Sequence, residues 1–200
     1  MNKNNTPRKA NTLLQLTALG CAAAMLSSSA SAAFHLWTIR ELFTNLDGSQ
    51  QFIELFTTSS SQTVLSGQQI QVTDQAGTTT HTFTIPANVS GNTANRAYLL
   101  ATSAFAAAPG AVTPDAIVPS GFLFPAGGTI NFFGTPASNV YTALPTNGVL
   151  SRAYPGTTNQ TNSPQNYAGA SGQVVPEPAT FALFGLGGVG LCALLRRRSA

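Results

Sequence analysis

The sequence is short of cysteine, charge, histidine and helical periodicity, and each shortage excludes something. Its two cysteines, Cys21 and Cys192, stand near the two ends, and none lies between them. A thiolate metal site, a cysteine nucleophile and a disulfide are therefore excluded from the middle of the chain. Only His35 and His81 could supply an imidazole base, and no serine sits in a G-x-S-x-G pattern. Long amphipathic helical runs are missing as well.

The charges that exist are concentrated at the ends. The formal charge is +3 and the isoelectric point near 9.2. Lys3, Arg8 and Lys9 lie at the start, and Arg196, Arg197 and Arg198 at the finish. Between them Arg40, Arg96 and Arg152 face Glu41, Asp47, Glu54, Asp74, Asp115 and Glu177, three against six, leaving the middle near −3. A basic nucleic-acid face is excluded.

The first 32 residues read as a signal peptide. The basic start precedes an apolar run from Leu13 to Leu26, then the small-residue stretch "SSSASAA". Ala30 and Ala32 frame an A-x-A site, so signal peptidase is expected to cut after Ala32, with Ala33 as the alternative. Lipoprotein processing at Cys21 is the rival, but Ala18 stands where leucine is preferred and the residues after Cys21 stay apolar. The exported part must hold together by core burial without disulfides.

Near the other end, Gly185, Gly187 and Gly190 spell G-x-G-x-x-G. A dinucleotide site needs a strand before these glycines and a helix and second strand after them. Pro176 and Pro178 precede them instead, and ten residues follow, so the match is expected to be accidental. From Ala179 to Leu195 the chain carries no charge, and Arg196–Arg198 follow. As a helix those residues would span roughly 25 Å, near the hydrocarbon thickness of a bilayer. The arginines would then stay on the cytoplasmic side as a stop to translocation. Pro176-Glu177-Pro178, a Gly-rich apolar stretch and a terminal arginine cluster together resemble the PEP-CTERM sorting signal of exported proteins from Gram-negative bacteria that make extracellular polysaccharide. The resemblance, over residues 175–200, implies an exosortase as processing partner, cleavage near Pro176–Pro178, a transient inner-membrane anchor, and transfer to the cell surface or extracellular matrix. A plain, unprocessed anchor is the alternative.

Between the ends, residues 33–154 read as an all-β body and 155–174 as a flexible polar stalk. Candidate strands are His35–Phe43, Gln50–Phe56, Gln68–Asp74, Thr80–Ile85, Arg96–Thr102, Gly128–Gly134 and Asn139–Leu144, with a short helical turn in Ser103–Gly110. Thr82 and Thr84 alternate with Phe83 and Ile85, as suits a sheet with one wet face. Seven short strands suggest a β-sandwich. The segments Ile39–Leu42, Phe52–Leu55, Ser66-Gly67, Ile70–Asp74 and Phe83–Pro86, with "PAGGTINFFG" later, resemble a lamin-tail-type, immunoglobulin-like domain. That resemblance implies an immunoglobulin-like sandwich serving as a passive adhesive or spacer module.

Candidate chemistry in the body is sparse. Asn45, Asp47, Gly48 and Glu54 fall at positions three, five, six and twelve of an EF-hand-like loop, but Phe43 occupies position one and strands flank it. A hairpin turned by Asp47-Gly48 is the expected reading, with Glu54 a structural carboxylate that needs a partner. Asp74 and His81 are expected as solvent-facing residues flanking the turn "QAGTTT". Trp37, Phe122, Phe124, Phe132, Phe133 and Tyr141 are expected in the core, although an exposed pair in Gly121–Gly128 could stack on sugars. No catalytic residue, cofactor or metal site is expected. The chain reads as a non-enzymatic surface or matrix protein, with a module for extracellular polysaccharide as the alternative.

Overall fold

Strand β2 (Gln51–Thr57) is buried on both faces, and the layering of the protein follows from it. The computed structural model describes residues 35–132 and 139–175, together with Met1. The signal peptide with Ala30 and Ala32, Phe133, the motif Pro176-Glu177-Pro178, the apolar segment 179–195 and Arg196–Arg198 lie outside the described residues. Among the described residues no helix is long and apolar enough to cross a membrane.

The described chain is all-β, with ten strands in two sheets and one helical turn. The larger sheet contains β1 (Thr38–Thr44), β2, β5 (Arg96–Thr102), β6 (Ala116–Val118), β9 (Leu150–Ala153) and β10 (Asn159–Thr161), in the order β10-β9-β1-β2-β5-β6. Its pairings are antiparallel except β5 with β6, which are parallel and joined through the helical turn α1 (Ser103–Ala106). The smaller sheet is antiparallel, in the order β4-β3-β7-β8, from β3 (Gln69–Asp74), β4 (Thr80–Thr84), β7 (Gly127–Phe132) and β8 (Asn139–Thr142). All seven strands expected from the pattern of apolar residues are present, shifted by a few residues at their ends. The three missed strands, β6, β9 and β10, are three, four and three residues long, too short to show a pattern of alternation.

One core lies between the sheets. Ile39, Leu42, Ile53, Leu55, Tyr98 and Leu100 of the larger sheet meet Ile70, Val72, Ile130, Phe132 and Tyr141 of the smaller one. A second core covers the other face of the larger sheet. There Phe43 and Phe52, directly opposite across β1 and β2, stack at 5.2 Å, and Phe105 of α1 meets both rings edge-on. Leu99, Ala101, Val112 and Val174 complete it. β2 thus sends Ile53 and Leu55 to one core and Phe52 to the other.

The stalk expected at 155–174 is not a stalk, and the body does not end at Tyr154. Residues 159–161 form β10 against β9, and the chain then runs back over the larger sheet as a strap that ends at Val174, 1% exposed. Asn162, equally buried, holds that end: its Nδ2 donates to the Val174 carbonyl at 2.8 Å and its Oδ1 accepts from the Val174 amide at 2.8 Å. The strap lies so close to the loop after α1 that Gly172 has no room for a Cβ, which would strike the Gly110 carbonyl oxygen. Polar composition suggested a loose linker, but here the polar groups are hydrogen-bonded to the body.

Two consequences can be measured. A chain ended after Tyr154 should fail to fold, whereas one running to Val175 should give a cooperative urea transition. Asn162→Ala should lower stability by about 2–4 kcal/mol in that transition, because it strands the buried amide and carbonyl groups of Val174.

Candidate functional site

The sites proposed on the sequence fall in separate places, and the residues that act together are ones the sequence did not group. β1 contains a bulge between Ile39 and Glu41. A bulge sets two successive residues against one partner residue, and here the extra residue is Arg40. Arg40 and Glu41 both reach groups on the outer face of the larger sheet, while Ile39 and Leu42 stay in the inter-sheet core. Glu41 sits directly opposite Glu54, and Glu54 directly opposite Leu99. Both glutamates are fully buried, at 1% and 0% exposure.

Two buried carboxylates side by side need partners of opposite sign or with N–H groups. Arg40 forms an ion pair with Glu54 through Nε, lays its guanidinium 4.3 Å over the Phe56 ring, and reaches Gln165 Oε1 at 3.3 Å. The strap supplies the rest. The Ser163 amide and hydroxyl donate to the two oxygens of Glu41, each at 2.9 Å. The Gln165 amide donates to Glu54 Oε2 at 2.6 Å. The Tyr167 amide donates to Asp115 Oδ2 at 2.9 Å, and the same oxygen accepts from the Leu99 amide at 2.8 Å. Alternate residues of the strap, 163, 165 and 167, are therefore received by carboxylates from β1, from β2 and from the residue preceding β6. Charge-assisted bonds of this kind contribute roughly 1.5–3 kcal/mol each, offset in part by taking the carboxylates out of water.

Burial pushes the Glu54 carboxyl above its usual range, against the pull of Arg40 and the Gln165 amide. It raises Asp115 too, against the Leu99 and Tyr167 amides. The turn acids go the other way: the Ser49 hydroxyl and amide hold Asp47 low, and the Thr78 hydroxyl leads in holding Asp74 low.

The individually proposed sites resolve as follows. Asn45–Gln50 is the β1–β2 hairpin loop, with Gly48 at φ +70°. Asp47 Oδ1 accepts from the Ser49 amide and hydroxyl, and Asn45 Oδ1 from the Gln50 amide. Glu54 is engaged on the sheet with Arg40 and Gln165, not with this loop. His81 is not a solvent-facing loop residue. It lies within β4, half-buried, with its ring stacked 4.6 Å from that of Phe124 and Nδ1 3.0 Å from the Phe122 carbonyl. Asp74 turns into the β3–β4 hairpin, where it accepts from Thr78 and Thr79, so the two are not engaged with each other. A shallow cleft of about 290 Å³ lies beside His81, lined also by Thr80, Thr82, Pro119, Ser120 and Phe122.

Of the proposed aromatics, Trp37, Phe122, Phe132 and Tyr141 are buried and Phe124 is half-buried against the core. The Trp37 indole donates to the Gln62 carbonyl at 2.9 Å, and burial pushes the Tyr141 phenol up to about 12. Gly121–Gly128 presents no exposed aromatic pair. The carboxylate line was missed because Glu41, Glu54 and Asp115 are far apart in sequence. Glu41 and Glu54 inside apolar strands were the one signal available.

Residues 174–198 match the model of the PEP-CTERM protein-sorting motif. The match takes in Pro176, Glu177, Pro178 and Arg196–Arg198, and it begins at Val174, the last residue clamped into the body. The chain thus carries the sorting motif of exosortase substrates. No curated protein and no solved structure matches it.

Asp115→Ala should cost about 2–3 kcal/mol in a denaturant melt, since the Leu99 and Tyr167 amides lose their acceptor. The pH dependence has a definite sign. Glu54 and Asp115 have folded values above their unfolded ones, so their contribution is full below 4.5 and 3.8 and is lost as pH rises through the folded values. The contribution of Asp47 and Asp74 is present above 3.8 and lost as pH falls through their lowered values. The melting temperature at about pH 5 should therefore exceed that at about pH 8.

Proposed function

We propose that this protein is a non-enzymatic surface or matrix protein whose β-sandwich serves as a structural or adhesive module once an exosortase has released it from the membrane. The sorting motif makes the chain an exported, exosortase-processed protein with a membrane-anchored precursor. The observation that carries the rest is the position of the motif: the folded body extends to Val174, where the motif starts. Cleavage near Pro176–Pro178 would remove the apolar segment 179–195 and Arg196–Arg198 while leaving every contact of the strap in place. A module that must persist outside the cell without disulfides is well served by that arrangement.

The groups that could have done chemistry have structural occupations. Glu41, Glu54 and Asp115 receive the strap, and Asp47 and Asp74 cap their own turns. This supports a passive module, in line with the immunoglobulin-like, lamin-tail-like reading of the body. In this account signal peptidase cuts after Ala32, and the inner membrane holds the precursor only until exosortase acts.

A second reading, attachment to extracellular polysaccharide, is favoured by the scarcity of charge at the surface. Eight charged side chains fall among the described residues, and only those of Asp47 and Arg96 belong to exposed residues. Exposed aromatics, the usual stacking platforms, do not support it.

Intact-mass analysis of the protein from exosortase-positive and exosortase-negative cells tests the first reading. Loss of the C-terminal segment in the former and its retention in the latter is expected. Recovery of Arg196–Arg198 in both would refute processing.

A further inference from the structure

The smaller sheet turns Ile70, Val72, Ile130, Phe132 and Tyr141 inward, so its other face is set by the alternating positions. Those are Gln69, Gln71 and Thr73 on β3, Thr80, Thr82 and Thr84 on β4, Thr129 and Asn131 on β7, and Val140 on β8. All are half-buried or exposed. The strand register lines them up in rows: Thr80, Thr73, Thr129 and Val140 in one, Thr82, Gln71 and Asn131 in the next, Thr84 and Gln69 in the third. Rows across a sheet repeat at about 4.8 Å from strand to strand and about 6.8 Å along each strand. The Thr73 and Thr80 hydroxyls, 2.9 Å apart, show the rows are close enough to bond laterally.

We propose that this face binds a neutral, hydroxyl-rich polysaccharide chain. The proposal rests on the polysaccharide reading above and gives it a site. The chemistry selects the ligand by elimination and by fit. None of the nine positions is charged, so an anionic polymer or a nucleic acid finds no cation there. Val140 is the one apolar side chain among them, 71% exposed, too little to seat an apolar protein surface. Hydroxyl and carboxamide groups each donate and accept, as sugar hydroxyls do, and neutral groups lose less on leaving water than ions. Threonine in a strand is already restricted at its first side-chain torsion, so fixing it against a ligand costs little entropy. An independent sign comes from Asn131, in the middle row. Its Oδ1 is the one buried side-chain oxygen or nitrogen without a hydrogen-bond partner among the described residues. Turning that amide outward to a ligand hydroxyl would satisfy it.

The full chain, held in mild detergent, can be passed over cellulose and cross-linked dextran, with alginate gel as the anionic comparison. Retention on one of the neutral matrices is expected, undiminished in about 1 M NaCl, where charge interactions are screened beyond about 3 Å. The double variant Gln71→Lys with Thr129→Lys, and separately Thr82→Lys, should weaken retention by about tenfold or more at an unchanged melting temperature. Loss of binding together with a fall in melting temperature in one variant leaves the decision to the other. No retention on either neutral matrix, retention on alginate alone that salt abolishes, or retention unchanged by both folded variants would overturn the site. So would concentration-dependent self-association that the variants remove while glucan retention is absent, since the face would then be an interface between copies. None of these outcomes bears on C-terminal processing, which intact mass reads independently.

Discussion

Two buried carboxylates and a half-buried third, in a line across one sheet, are the constraint on which the rest of the structure depends. Glu41 and Glu54 face each other across β1 and β2, where like charges would repel each other if left unpaired. They are tolerated because Arg40 and the amides of Ser163 and Gln165 answer them, with Asp115 receiving the next alternate amide at Tyr167. The dependence is mutual. Without the strap Glu41 would lose its Ser163 donors, Glu54 the Gln165 amide and Asp115 the Tyr167 amide, and without the carboxylates three alternate residues of the strap would lose their acceptors. Val174 and Pro164 are its buried apolar side chains, Val174 contributing roughly 1.5–3 kcal/mol.

This arrangement ties fold to sorting. In a chain with a flexible linker, a processing enzyme would meet its motif at a variable distance from the domain. Here Val174, clamped by Asn162, is the first residue of the matched motif. The C-terminal end of the described body is fastened by Asn162 at two hydrogen bonds of 2.8 Å. Stability that a secreted domain often takes from disulfides comes instead from two hydrophobic layers and this polar clasp.

The apolar strands were legible in the sequence: period-two alternation in "HTFTI" identifies β4, the short apolar and aromatic run in "QQFIELF" identifies β2, buried on both faces, and the hairpin turned at Asp47-Gly48 is where the residue types place it. The aromatics Trp37, Phe122, Phe132 and Tyr141 are in the core, as expected for a body with few other large side chains. The strap was not legible. Its polar, Gly-containing composition is shared by linkers and by segments whose polar groups are all bonded, and only tertiary partners distinguish the two. β9 escaped for a related reason: its Ser151 and Arg152 are buried through hydrogen bonds to Asn159, Thr142, Ala143 and Gln160, partners that no local pattern reveals. His81 was misplaced because a histidine beside threonines reads as exposed, whereas its ring is stacked on Phe124.

The central claim is that residues 163–174 belong to the folded body and not to a tether. Native-state amide hydrogen exchange on the full chain tests it most directly, followed at Ser163, Gln165, Tyr167 and Val174. The account requires protection at these amides approaching that of β2, because their release needs the sheet face itself to open. Exchange at the rate of an unstructured peptide, with β2 still protected, would contradict it.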